Sequence, residues 1–323
     1  MADLPPSLRY YPDTRPGISR QRRGRGFSYL NSDGTRICAA PERDRLRALA
    51  VPPAWEDVWI SPFENGHLVA TGQDVRTRKQ YRYHADWTAL QAAQKFSGLA
   101  EFAQALPAIR RRIRRDLSGE PGEEAFAIAA AAAMIDRLSL RIGNPEYTRQ
   151  NGSYGALTLK GRHVRLKEGR LHISYTGKGG KRVRRQLSDS RLMKALEQIR
   201  DLPGAELLTW LDDDGAPRCV SSTCLNAYLS DAGGIEHLTA KTFRTWSGTV
   251  AAFSVALEMP RPTIKAMADA AAERLHNTPA IARSSYIHPD VLDLANQDST
   301  LPERSGTRDL TVAEQRLEAF LKR

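Results

Sequence analysis

Cysteine is scarce in this chain. Cys38, Cys219 and Cys224 are the only three in 323 residues, with no CxxC pair and no Cys/His ligand spacing. Neither a structural zinc site nor a disulfide framework is indicated, and a reducing compartment fits. Long apolar runs are missing as well. The longest, 125–135, has 11 residues and is mostly alanine, whereas a membrane-spanning helix needs about 20. The opening MADLPPSLRYYPDT has no apolar signal core, so a cytoplasmic location and no membrane partner are expected. The common catalytic signatures are absent too: no GxSxG, no P-loop, no HExxH, and no GxGxxG behind a strand. Seven histidines are scattered without ligand spacing, and the acids form no obvious metal cluster. LDDDG at 211–215 reads as a solvated turn. The expectation is chemistry with no metal and no cofactor.

What is abundant is positive charge. Lys and Arg number 48 against 37 acids, for a net charge of +11. The excess is spread along the chain rather than gathered in a tail. A folded basic surface and a polyanionic partner follow, with nucleic acid the leading candidate.

Length suggests two domains. Residues 1–26 are rich in Pro, Arg and Gly and end in SRQRRGRG. They read as a flexible basic arm, either solvated or lying on a nucleic-acid backbone. Over 27–87 the short β-branched and aromatic runs GFSYL, TRICA, DVWISP, HLVATG and KQYRYH alternate with turn signals, which predicts a small antiparallel sheet. One helix, ERDRLRAL at 42–49, interrupts it. From 88 onward the period becomes helical. GALTL, HVRLKEGRLHISYTG and KRVRRQL then read as a three-stranded β insertion, and helices follow at 189–201, 221–231, 240–259, 262–275 and 279–296. TVAE at 311–314 has the form of a capping box. The predicted class is α+β: a small β domain, then a larger, mainly α domain over 88–323.

The residues able to do chemistry are dispersed. Arg141 lies at a helix end in LSLRIGNPEY, Lys178 in the glycine-rich turn of SYTGKGGKRVRR, Lys241 and Arg244 in AKTFRTWSGT, and Tyr286 in NTPAIARSSYIHP. Each alone reads as ordinary: a dipole complement, a solvated turn lysine, a packed aromatic. Their order and context change that. VPPAWEDVWISP, NGHLVATGQDVRTRKQYRYH, RIGNPEY, GALTL, TGKGGK, KTFRTW and TPAIARSSY occur in sequence. In this series the chain resembles the type IB DNA topoisomerases, the short poxvirus-like and bacterial forms, over about 27–297.

The resemblance implies two domains forming a clamp around duplex DNA, acting as a monomer. It implies relaxation of supercoils by transient cleavage of one strand. Tyr286 would attack phosphorus, leaving a 3′-phosphotyrosyl link and a free 5′-hydroxyl, with neither ATP nor metal. Arg141 and Arg244 match the family's phosphate-binding arginines, Lys178 its general acid, and Lys241 a further phosphate contact. Gln80, Tyr81, Tyr83 and Tyr147 match its DNA contacts. This chemistry suits the residue types. A tyrosine nucleophile splits one hard step into two. Charge building on the non-bridging oxygens needs fixed cationic donors, and arginine supplies a planar fork that stays protonated. The rival class is the tyrosine recombinases, which share Arg–Lys–Arg–Tyr chemistry but usually carry histidine where Lys241 stands, behind a helical N-terminal domain.

The viral members read Gly-His-Thr-Pro ahead of the tyrosine, with histidine nine positions before it. Here Thr278 and Pro279 set the register. Asn277 stands nine positions before Tyr286, and His276 takes the glycine's place. If this stretch is helical, neighbouring residues differ by about 100° and both cannot address one phosphate. The donor role therefore passes to Asn277, whose amide offers a neutral N–H as imidazole does; an insertion restoring His276 to the site is the alternative.

Overall fold

The computed structural model describes residues 4–297 and 300–323, with Ala93 and Gln94 described by backbone only. The chain divides into two compact units, 1–95 and 96–323. The architecture is mixed α+β: a small antiparallel sheet, then a larger and mostly helical unit. Among the described residues no helix is long and apolar enough to cross a membrane.

In the first unit β1 (Ile18–Arg23), β2 (Gly26–Leu30), β3 (Glu56–Ile60), β4 (Leu68–Gln73) and β5 (Lys79–Tyr83) form one antiparallel sheet in the order β2-β1-β3-β4-β5. Its core gathers Ile18, Tyr29, Ile37, Leu46, Val58 and Ile60, with Leu46 supplied by α1 (Ala40–Ala48). Two expectations are corrected here. The basic arm is not free over 18–23, because Ile18 is buried and β1 pairs on both sides. Arg20 also donates hydrogen bonds to the carbonyls of Val51, Pro52 and Trp55 and lies over the Phe27 ring. A charged side chain that finds three carbonyls loses little by leaving water. TRICA forms no strand, only an isolated bridge between Leu30 and Arg36.

The unit boundary falls at 95/96, near the end of α2 (Ala85–Ser97), rather than at 87/88. Gly98 separates α2 from α3 (Leu99–Asp116), and α3 runs on through Pro107 into AIRRRIRRD as one helix. Alanine-rich α4 (Glu124–Leu138) lies at the centre of the second unit, with all but a few residues at its ends buried. A helix apolar on every side must be surrounded. It is, by α3, α6 (Ser190–Arg200), α7 (Ser222–Gly233) and α8 (Ala240–Glu258).

The three-stranded sheet is β6 (Val164–Lys167), β7 (Arg170–Thr176) and β8 (Arg182–Leu187), in that order. GALTL is not one of its strands. It forms a short 3₁₀ turn whose Ala156 and Leu157 amides donate to the Arg141 and Ile142 carbonyls. The approach is tight: a Cβ on Gly155 would lie 2.4 Å from the Gly143 nitrogen. Two short strands, β9 (Thr209–Leu211) and β10 (Pro217–Cys219), flank the expected LDDDG turn. The helix expected over 279–296 is two: α10 (Pro279–Tyr286) and α11 (Pro289–Leu292), after α9 (Ile264–Leu275). The residue before a proline is steered away from helical backbone, and His288 precedes Pro289.

The last helix, α12 (Val312–Leu321), opens with the expected capping box of Thr311 and Glu314. Glu314 does more. Buried Arg110 of α3 pairs with both Asp136 of α4 and Glu314, and the Trp246 indole of α8 donates to Glu314. Burial would raise the Glu314 carboxyl, but hydrogen bonds and charge from Arg110 overcome it and hold it down near about 2. A depressed carboxyl stabilises the fold at pH above its unfolded value, and this is lost as pH falls toward 2. Arg110→Met should cost the second unit about 3–5 kcal/mol by stranding two buried carboxylates, read as a shift in its urea midpoint; an unshifted midpoint would show the network is not stabilising.

Candidate active site

Each candidate side chain is held by a helix end or a turn. The α4 helix stops at Leu138. Ser139 adopts a left-handed backbone (φ 52°, ψ 37°), and Arg141 follows in a half-buried loop braced by the 156–157 amides. The α9 helix stops the same way. His276 takes φ 48°, and the Asn277 amide reaches back to the Ala272 carbonyl. The α10 helix starts at the Thr278 cap with Pro279 and ends on Tyr286.

These ends converge. Arg244, in the second turn of α8, is 5% exposed, and its guanidinium donates to the carbonyls of Ser139 and Leu275. It lies 5.3 Å from the centroid of the Tyr286 ring. Arg141 donates to the Asn277 side-chain oxygen at 2.5 Å. Tyr286 is 8% exposed. Burial alone would push its phenol up, but the charges of Arg244 and Arg141 and their hydrogen bonds outweigh it, so the net shift is downward. Arg244 is itself pulled down by burial and then by the Arg141 charge. A buried phenol shifted downward against its own desolvation is the kind of perturbed group that clusters at functional sites.

Two donors in this cluster are buried and have no partner among the described residues: Nε–H of Arg244 and the Asn277 side-chain amide nitrogen. Buried polar groups of native proteins nearly always find partners. Here both belong to residues of one cluster with Arg141 and Tyr286.

Arg141, Arg244, Asn277 and Tyr286 are therefore brought together. His276 is not among them: its Nε2 lies 3.1 Å from the Arg184 carbonyl on β8. Lys178 sits at the exposed tip of the β7–β8 hairpin, in the turn 178–180, and has no hydrogen-bond or ion-pair partner among the described residues. Lys241, in the first turn of α8, is likewise exposed. In the first unit Tyr81 and Tyr83 share one face of β5 with their rings stacked, centroids 6.2 Å apart, both substantially exposed. Gln80 points the other way and donates to Asp74. Tyr147 is exposed on α5 (Pro145–Asn151), which Asn144 caps. Among the described residues no three His, Cys, Asp or Glu side chains are grouped as a metal would require.

Sequence reasoning missed Arg185. From β8 it donates to the Leu138 and Arg274 carbonyls, the same two helix ends that hold Arg244. Burial, reinforced by the Arg274 charge, draws its guanidinium down to about 10. The signal was present: Val183, Arg185 and Leu187 alternate on the inward face of β8, and an arginine among inward apolar positions needs a reason. Tyr175, buried beside these arginines with its phenol pushed up by burial, carried no such signal.

With this geometry in view, comparison with known proteins is specific. A family model described as the catalytic core of eukaryotic DNA topoisomerase I matches residues 84–282. A second, for the N-terminal domain of bacterial DNA topoisomerase IB, matches 26–74. The chain belongs to the type IB DNA topoisomerases. It binds DNA and relaxes supercoils by cutting and rejoining a strand. The core match contains Arg141, Lys178, Lys241, Arg244 and Asn277 and ends four positions before Tyr286. DNA topoisomerase 1B of Acanthamoeba polyphaga mimivirus is 28% identical over 293 residues, 86% of this chain and 87% of that protein. The Vaccinia virus (strain Copenhagen) DNA topoisomerase 1B is 21% identical over 258 residues, 78% of this chain and 80% of that one. Among solved structures, the XerH site-specific recombinase in its post-cleavage complex aligns with a TM-score of 0.39 and 15% identity, over 58% of this chain and 49% of that one, a likeness too loose to carry argument.

The electrostatic origin of the Tyr286 shift can be checked directly. In Arg141→Ala the phenol should titrate at a higher pH than in the unaltered topoisomerase, because one of two cations favouring the phenolate is gone. Tyrosine-labelled NMR titration reads this, with Tyr286→Phe assigning the resonance. An unmoved titration would mean Arg141 does not act on the phenol.

Proposed function

We propose that Tyr286 is the nucleophile of strand cleavage and that Arg141, Arg244 and Asn277 bind the scissile phosphate. The observation that carries this is the Tyr286 ring 5.3 Å from the Arg244 guanidinium, in a cluster where Arg141 bonds Asn277 and where Arg244 Nε and the Asn277 amide nitrogen are buried without partners among the described residues. A phosphodiester brings the non-bridging oxygens those donors lack, and negative charge grows on these oxygens as the tyrosine oxygen attacks. The phenolic oxygen forms its bond to phosphorus as the 5′-oxygen leaves. The strand is then joined to the protein through a 3′-phosphotyrosyl link. The leaving oxygen needs a proton, and Lys178, at the exposed tip of the β7–β8 hairpin rather than in the arginine cluster, is the general acid of this reading. Resealing reverses each step.

In the same reading Lys241 and Tyr147 add DNA contacts, the Tyr81–Tyr83 ladder faces the duplex from the sheet, and Gln80, on the opposite face of β5, would contact DNA separately from that ladder. Family likeness supports a monomer that clamps duplex DNA and works with neither ATP nor metal, in a cytoplasmic, nucleoid-associated setting. Asn277 takes the donor role and His276 does not, since Asn277 bonds Arg141 while His276 turns to the β8 backbone.

Purified protein in EDTA without ATP should relax positively and negatively supercoiled plasmid, and Tyr286→Phe should abolish both relaxation and covalent DNA adducts. An adduct in that variant would move the nucleophile elsewhere. Asn277→Ala should slow single-turnover cleavage by about 10²-fold or more, the scale of losing one transition-state donor, while His276→Ala stays near the parent rate. The reverse order would return the donor role to His276.

A further inference from the structure

The arginines account for the phenol's charge, but something must also fix where its backbone stands. Tyr286 is the last residue of α10, and Ile287 after it is extended (φ −112°, ψ 130°). At that position carbonyls no longer find an amide one turn ahead. A helix end of this kind frays unless something else holds it.

Thr249 of α8 is fully buried, at 0% exposure. Its hydroxyl faces two carbonyls, Thr245 one turn back at 2.9 Å and Tyr286 at 3.1 Å. The same oxygen accepts the His288 backbone N–H at 3.1 Å. One side chain thus grips the main chain at the nucleophile and again two residues beyond it. The Thr245 carbonyl lies inside a regular helix, where the backbone already supplies a donor. The Tyr286 carbonyl is the one at a helix end.

The neighbouring residue provides the seat. A Cβ on Gly248 would lie 2.8 Å from the Tyr286 carbonyl oxygen, 3.0 Å from the Tyr286 Cβ and 2.9 Å from Leu275 Cδ1. Glycine in a helix interior costs about 1 kcal/mol relative to alanine, so its place here has a steric reason. Gly248 stands four residues after Arg244, on the same face of α8. A single rigid helix therefore presents Arg244 to the phenol ring, Gly248 to the backbone beneath it and Thr249 to the carbonyl.

We infer that Thr249, seated by Gly248, is a positioning residue that fixes the Tyr286 backbone for in-line attack. Neither touches the phosphate, and each acts through the tyrosine. The inference rests on Tyr286 being the nucleophile. Near-attack geometry is demanding: displacement of about 1 Å can cost on the order of 10²-fold in rate.

The test is single-turnover cleavage of a duplex, with rate constant and reacting fraction measured separately, alongside noncovalent DNA affinity. Thr249→Val keeps the shape and removes the hydroxyl. It should lower the cleavage rate constant by about 10- to 100-fold with affinity unchanged, and Thr249→Ser should return it to within about threefold of the parent. A substrate whose bridging 5′-oxygen is replaced by sulfur expels a leaving group that needs no proton. The Thr249→Val defect should persist on it, whereas a Lys178→Ala defect should be relieved. Should Thr249→Val fail to fold, Thr249→Ala against Thr249→Ser isolates the hydroxyl in the same way. The inference is overturned if the valine variant cleaves within about threefold of the parent, if only the reacting fraction falls, if serine does not rescue, or if the sulfur substrate restores the rate. Tyr286→Phe runs in parallel. Adducts from that variant would end the nucleophile assignment, whereas an inert Tyr286→Phe beside a fast Thr249→Val ends only the positioning role.

Discussion

The site depends on one arrangement: the Arg244 guanidinium wedged between the carbonyl ends of two helices. Ser139 closes α4 and Leu275 closes α9, and both carbonyls accept from the same buried fork. Helix C-termini carry partial negative charge and leave carbonyls unpaired. An arginine there satisfies the helices and is itself held without freedom. The helices gain caps, and the site gains a cation whose remaining Nε–H has no hydrogen-bond partner among the described residues.

The same logic spreads outward. Arg185 takes the Leu138 and Arg274 carbonyls, and Arg274 takes that of Arg137 and the Ser247 hydroxyl. Several guanidiniums therefore crowd two helix ends without a carboxylate among the bonds that hold them there. Carbonyls stabilise buried cations without neutralising them. Had acids done this work, as Asp136 and Glu314 do for Arg110 elsewhere in the unit, the charge would be spent internally. The downward shift of the Tyr286 phenol against its burial reflects this surplus of uncompensated cation.

Much of this was legible in the sequence. The four strands of the first unit other than β1, the alanine-rich central helix and the capping box at 311–314 all follow from local pattern, because turn residues and hydrophobic period report directly on a chain's neighbours. The nine-residue spacing from Asn277 to Tyr286 holds because Thr278 and Pro279 start α10 in a fixed register. Local pattern failed where a distant partner decided the outcome. SRQRRGRG reads as a free basic arm, yet Arg20 is claimed by three carbonyls more than thirty residues away. GALTL has the composition of a strand, but its amides are taken by the Arg141 loop, and Gly155 leaves room for that approach.

The sequence by itself determined the inventory: a basic, cysteine-poor chain, a sheet before helices, and Arg141, Lys178, Arg244, Asn277 and Tyr286 in family order. Charge, cysteine count and the order of sheet and helices are properties of composition and period, whereas the residue set is what the resemblance to the family implies. Only the tertiary structure decided that α4 and α9 end facing one another, that Arg244 joins their carbonyls, that His276 turns toward β8, and that Thr249 reaches the Tyr286 carbonyl. Those outcomes depend on hydrogen bonds between residues from tens to over a hundred positions apart. No local pattern encodes them, because each is set by which buried polar group finds its partner once the core has closed.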